Sequence, residues 1–136
     1  MKKTALVVLM LAACAKGLEP AEPVWGKEPC AHCMMLVSEK APSAQLQLES
    51  GARKFFDDVG CMVLYVDQEK VTPKASWVRV GDGWKRAEEA RYQRERTPMD
   101  FGFVGATDGV SFDEMKAAVR AKGAERPGMM MHGSMP

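Results

Sequence analysis

Apolar and polar residues alternate along several short stretches of this chain and twice give way to a helical period. Ser43-Ala44-Gln45-Leu46-Gln47-Leu48-Glu49 alternates with period two, the pattern of a half-buried strand. Ser50-Gly51 makes a turn, and Arg53 to Phe56 is the second arm of a hairpin. Asp57-Asp58 then cap a helix running through Val59, Met62, Val63, Tyr65 and Val66, with carboxylates at its positive end. Pro73 stops that segment. Ala75 to Val80 alternates again, with Trp77 as a core residue, and Gly81-Asp82-Gly83 turns the chain. Glu89 to Gln93 and Phe101 to Ala106 read as two more strands, with a turn at Asp108-Gly109. Ser111 and Glu114 form a capping box for a helix through Phe112, Met115, Ala118 and Val119 that stops at Gly123. Upstream of all this, Met34-Met35-Leu36-Val37 is a short apolar run that reads as a strand. Strand–strand–helix occurs twice, with a further strand in the first copy. The expected fold is therefore a small α+β chain with short antiparallel strands and two helices.

The two ends follow a different logic. Met1-Lys2-Lys3 is a positive segment, Ala5 to Ala13 an apolar one too short to span a bilayer, and Leu11-Ala12-Ala13-Cys14 a lipobox-like finish. The reading is a signal peptide over residues 1–13, cleaved before a Cys14 whose thiol carries lipid; an ordinary secretory signal cleaved near Ala15 is the alternative. Residues 14–29 then serve as lipid anchor and flexible tether. A domain over residues 30–124 follows. Residues 125–136 form a tail rich in Met and His, without a core pattern.

Composition narrows the function. Of 136 residues, 46% are hydrophobic and 27% charged, enough for a packed core. Lys and Arg number 19 against 18 acidic residues, which excludes a strongly basic nucleic-acid binder. Cleavage would remove Lys2 and Lys3 and take the net charge from +1 to −1. It would also leave three usable thiols, Cys30, Cys33 and Cys61, facing an oxidising compartment. The expected location is a periplasm-facing membrane surface.

Chemistry concentrates in Cys30-Ala31-His32-Cys33-Met34-Met35. Soft sulfur donors favour Cu(I), whereas zinc usually takes four ligands, often from two Cys-x-x-Cys pairs, and a second pair is absent. A Cys30–Cys33 disulfide, a thiol–disulfide oxidoreductase with a low-pKa Cys, and a zinc site are the competing readings. Met129, Met130, Met131, His132 and Met135 crowd the tail, either as a copper-capturing arm or as a biased, uncommitted end. His32 can ligate or face solvent. Met99 reads as a packing residue, as do Met62 and Met115. Cys61 reads as a buried small hydrophobe, with a copper-lining thiol as the alternative if its helix packs behind the loop. Helix capping accounts for Asp57 and Asp58. No Ser-His-Asp set, phosphate loop or dinucleotide fingerprint occurs, so no catalysis is expected.

Taken together, the lipobox ending at Cys14, Cys30-x-x-Cys33-x-Met35, Phe55-Phe56-Asp57-Asp58-Val59-Gly60-Cys61-Met62 and Pro98-Met99 resemble the nitrous oxide reductase accessory lipoproteins, the NosL family. The resemblance spans roughly residues 28–123. It implies two related ββαβ-type units and a membrane-anchored Cu(I) chaperone serving nitrous oxide reductase or another cuproenzyme. The family's Cys-x-x-Cys-Gly-Met motif maps onto Cys30, Cys33 and Met35, and its Pro-Met motif makes Met99 a ligand; His132 or a tail Met would close the shell. Met34 stands where that family has Gly, which loses tolerance of positive φ and adds a thioether. Asp100 replaces a common Gly, and the second unit is short of its last strand.

Overall fold

The computed structural model describes residues 17–126. The signal segment, Cys14, the tail methionines and His132 lie outside the described residues. Chain order gives β1 (Ala44–Gln47), β2 (Arg53–Phe56), α1 (Val59–Glu69), β3 (Ala75–Val80), β4 (Gly83–Arg86), β5 (Arg91–Arg94), β6 (Phe103–Ala106) and α2 (Phe112–Ala124). The strands form two antiparallel sheets, one of four in the order β2-β1-β3-β4 and one of two, β5-β6. This is the small α+β fold that the alternation implied, with a first unit ββαββ and a second that stops at ββα.

Register sets which side of each strand is inside. Ala44 lies opposite both Phe56 and Val78, so these three share one face with Leu46, and all four are fully buried. That face carries the core, which continues through Val59, Met62 and Val63 of α1, Phe103 of β6, and Met115 and Val119 of α2. The small sheet comes very close to β3. A Cβ placed on Gly105 would sit 2.4 Å from the Arg79 carbonyl oxygen, so only glycine fits that approach. The two helices are joined at their solvent side by Arg120, which donates two hydrogen bonds to Asp67, at 2.7 and 2.8 Å.

The opposite face of the large sheet should be polar and wet by the alternation of β1. It is instead covered, and Gln45, Trp77 and Arg79 are buried. The cover is the segment from Glu19 to Trp25, within the span expected to be a tether. Ala21 and the Gln45 side chain exchange two hydrogen bonds, at 2.9 and 2.8 Å, as a strand partner would. Arg53 Nη2 donates to the Glu19 carbonyl at 2.7 Å. The Glu22 carboxylate accepts from Arg79 Nη1 at 2.7 Å, Trp84 Nε1 at 2.8 Å and Trp25 Nε1 at 3.1 Å. Guanidinium groups stack on the indoles beneath, Arg53 and Arg86 over Trp77 and Arg79 over Trp84 and Trp25. The tether is therefore shorter than expected, because a carboxylate and two backbone groups in this stretch find buried partners.

Other boundaries shift for local reasons. Gly81, at φ 58°, and Asp82 form a two-residue turn, so Gly83 begins a fourth strand rather than ending a loop. Gly102, at φ 81°, delays β6 until Phe103 and frees Phe101 to pack inward. Helix α1 ends at Lys70 in a left-handed conformation, before Pro73 is reached. Helix α2 begins with the expected capping box of Ser111 and Glu114 but runs through Gly123 to Ala124. Met34 to Val37 forms only an isolated bridge between Pro29 and Leu36, with Met34, Met35 and Leu36 exposed.

Gly60, in the first turn of α1, lies directly against Phe101, and a Cβ there would be 2.2 Å from the ring. Alanine gains about 1 kcal/mol of helix propensity over glycine, but overpacking costs about 1–3 kcal/mol. The ring's own Cβ is only 2.5 Å from the new methyl, so a rotation of Phe101 gives little relief. Gly60→Ala should therefore lower the urea midpoint, and an unchanged or higher midpoint would show that α1 can move away from Phe101.

Candidate metal centre

The Cys30 loop is held from both sides. Gly26 N donates to the Val37 carbonyl and Val37 N to that of Glu28, both at 2.8 Å, which sets the two arms antiparallel. Between them Cys30 N donates to the Met35 carbonyl at 2.7 Å and Met34 N to that of Cys30 at 3.0 Å, closing the turn. Ala31 N donates to the Phe55 carbonyl at 2.9 Å and fastens the loop to β2. That strand runs directly into Asp57, Asp58 and α1, so the loop faces the start of the helix.

The two aspartates divide the work there. Asp58 is the N-cap, accepting from Gly60 N at 2.9 Å through Oδ1 and from Met99 N at 3.1 Å through Oδ2. A helix has one N-cap, and Asp57 is not it. Its Oδ1 accepts from the Cys33 thiol at 3.2 Å, and its Oδ2 is buried with no hydrogen-bond partner. Capping therefore explains only Asp58. Cys61 lies in the first turn of α1, fully buried, with its thiol turned to the same place. It is both a core residue and a member of the site, the two readings that the sequence offered as alternatives.

The result is a cluster of Cys30, Cys33, Cys61 and Asp57 whose donor atoms all lie within 4.8 Å of one another. All three cysteines are free thiols. Four donors around one ion at about 2.3 Å sit about 3.8 Å apart, so a small contraction would let these four bind a metal. The orphaned Asp57 Oδ2 supplies a buried acceptor that a cation would satisfy. Cys33 is half-buried and Cys30 and Cys61 are enclosed, so the site opens on the Cys33 side.

The other expected site residues lie around this cluster. His32 is buried in the loop but is not one of the four clustered donors. Met35 is 51% exposed beside the loop. Met99 is half-buried against the core, its backbone bonded to the neighbour of Asp57. Met34 takes φ 67°, the glycine-like conformation, at a cost of about 1 kcal/mol for a residue with a Cβ.

Charge in the cluster settles on one sulfur. Hydrogen bonding with Cys33, whose one proton is shared with Asp57 Oδ1, and with Cys61 pulls Cys30 below the usual thiol range. The same bond to Cys30, now as donor, raises Cys33 to about 12, and Cys61 is pushed up for the same reason. Burial, reinforced by the Cys30 charge, raises Asp57 to about 7. Burial also raises Asp58, against hydrogen bonds from Thr97 and the backbone of Gly60, Met99 and Phe101.

No family model, curated protein or solved structure matches the chain. Among the described residues, no helix is long and apolar enough to cross a membrane.

Asp57 gives a signed pH dependence. Its folded pKa lies above the unfolded value of 3.8. Between those values the folded state holds a proton that the unfolded state has lost, so its contribution to stability falls as pH rises from about 4 to 7. Asp57→Asn removes that term. In the reduced, metal-free protein the stability of the variant relative to wild type should climb across this window, at most by about 1.4 kcal/mol per pH unit. Thermal melts read it, and a flat difference would place the cluster's charge on Asp57 rather than on Cys30.

Proposed function

We propose that this chain is a Cu(I) carrier that holds the ion at Cys30, Cys33 and Cys61 and passes it to a client protein. The observation that carries the reading is three free cysteines converging on one buried point. Thiolate is a strong soft donor, and Cu(I) is satisfied by few such ligands. Binding expels the remaining thiol protons, and the half-buried Cys33 gives an acceptor protein a sulfur to displace first. Met35, Met99 and His132 would complete the shell during exchange, a role supported by their donor chemistry and, for Met35 and Met99, by the NosL resemblance. The NosL resemblance supports nitrous oxide reductase as the client, with another cuproenzyme as the alternative. The lipobox at Cys14 supports a lipid-anchored carrier facing the periplasm. The role is carriage, not catalysis.

A thiol–disulfide oxidoreductase fits less well. Its attacking sulfur must reach a partner's disulfide as a thiolate, and Cys30 is fully buried, while the hydrogen bond with Cys30 raises the more accessible Cys33 to about 12. Zinc is the second reading, favoured by the unpartnered Asp57 Oδ2, since three thiolates and a carboxylate make a tetrahedral set.

Titration of the reduced, anaerobic full-length protein with Cu(I) against a chromophoric chelator tests the proposal, with Zn(II) in competition. The expected result is one tightly bound Cu(I) per chain that Zn(II) does not displace. Cys33→Ser should abolish tight binding, and Cys61→Ser should weaken it about tenfold or more, about 1.4 kcal/mol. Binding indifferent to Cys33 would sink the site, and displacement of copper by Zn(II) would move the assignment to zinc.

A further inference from the structure

Met34 is out of place by two measures. Its backbone sits at φ 67°, where a residue with a Cβ is strained and glycine is not. Its side chain is 65% exposed, the most of any large apolar residue among those described, so packing does not repay the strain. The loop enforces this geometry through the bonds from Met34 N to Cys30 O and from Cys30 N to Met35 O. A strained, exposed residue held by its surroundings marks a position kept for something other than stability.

A cavity of about 290 Å³ supplies the second observation. Met34 and Cys30 both form part of its wall, together with Phe55 and Tyr65. It thus connects an exposed thioether with a residue of the cysteine cluster. Glu28 and Lys54 also line it, of opposite charge, while the Arg53 guanidinium at its edge is engaged with Gln45 and the Glu19 carbonyl.

We propose that Met34 is the outer capture ligand of the site, taking Cu(I) from a donor complex at the mouth of this cavity before the ion passes to the thiols. This rests on the Cu(I)-carrier reading. Copper stays in the +1 state throughout. A bond from Cu(I) to the donor's ligand breaks as one to the Met34 thioether forms, and that bond breaks in turn as the Cys30 sulfur takes the metal, any thiol proton going to solvent. Each further thiol that binds releases its proton to solvent. The order is downhill because thioether is a weaker donor than thiolate. The station therefore raises the rate of loading and contributes little to final affinity.

Stopped-flow loading of the reduced full-length protein from an anionic chromophoric Cu(I) chelate separates these effects. Met34→Leu keeps the size and the strain and removes the sulfur. It should slow loading about tenfold and leave equilibrium affinity within about twofold. Met34→Gly removes both sulfur and strain, so it should load as slowly as Met34→Leu while melting at a higher temperature than wild type. Wild-type rates in both variants would overturn the capture role and leave the carrier reading intact. An equal loss of rate and affinity would make Met34 a permanent ligand instead. Failure of the wild-type protein to bind Cu(I) tightly would remove the carrier reading, and the capture role with it.

Discussion

One buried carboxylate ties the two halves of this molecule together. Asp58 caps α1 with one oxygen and holds the backbone of Met99, from the second unit, with the other. Each oxygen meets an orphan donor, so the carboxylate is enclosed without being left unsatisfied. Everything at the metal centre is placed relative to it. Asp57 precedes it and is turned the other way, Cys61 follows in the first helical turn, and the loop carrying Met99 and Asp100 closes above. Lys122 of α2 and Arg126 just beyond its end then pin Asp100 from the far side. A cap worth about 1 kcal/mol in an isolated helix here fixes the approach of two supersecondary units.

That placement explains how three thiols share a site without repelling one another. Three thiolates and a carboxylate in one buried space would carry four negative charges, a costly state without a cation. Hydrogen bonding keeps the charge on Cys30 and leaves Cys33 and Cys61 as donors. The metal-free cluster is a small, satisfied network with one orphan, Asp57 Oδ2. Metal binding and proton release are thereby linked, so the apparent affinity for any metal rises with pH.

Much of the fold was legible in the sequence because alternation, turn residues and caps agreed. β2 and β3 match their expected spans, and the Ser111–Glu114 box opens α2 where the pattern put it. The misses have local causes. Four residues of β4 are too few to show a period after a Gly-Asp-Gly turn. Met34 to Val37 has the composition of a strand, but the loop that presents Cys30 and Cys33 takes that stretch into its own turn. At the site, Cys30 and Cys33 announced themselves by spacing. Cys61 stood only as an alternative and Asp57 not at all, because a cysteine on an apolar helix face and an aspartate beside a cap both have ordinary explanations. The usable clue was the doublet itself, since two adjacent aspartates cannot both cap one helix.

The clasp around Glu22 has a geometric consequence. Extended chain advances at most about 3.6 Å per residue. On the reading that Cys14 is acylated, the five steps from there to Glu19, where the chain is first fastened to the sheet, allow a reach of about 18 Å. A domain held on so short a leash sweeps a thin layer above the bilayer rather than the depth of the compartment. Any acceptor of its cargo must then come within that layer, and the search for a partner becomes closer to two-dimensional.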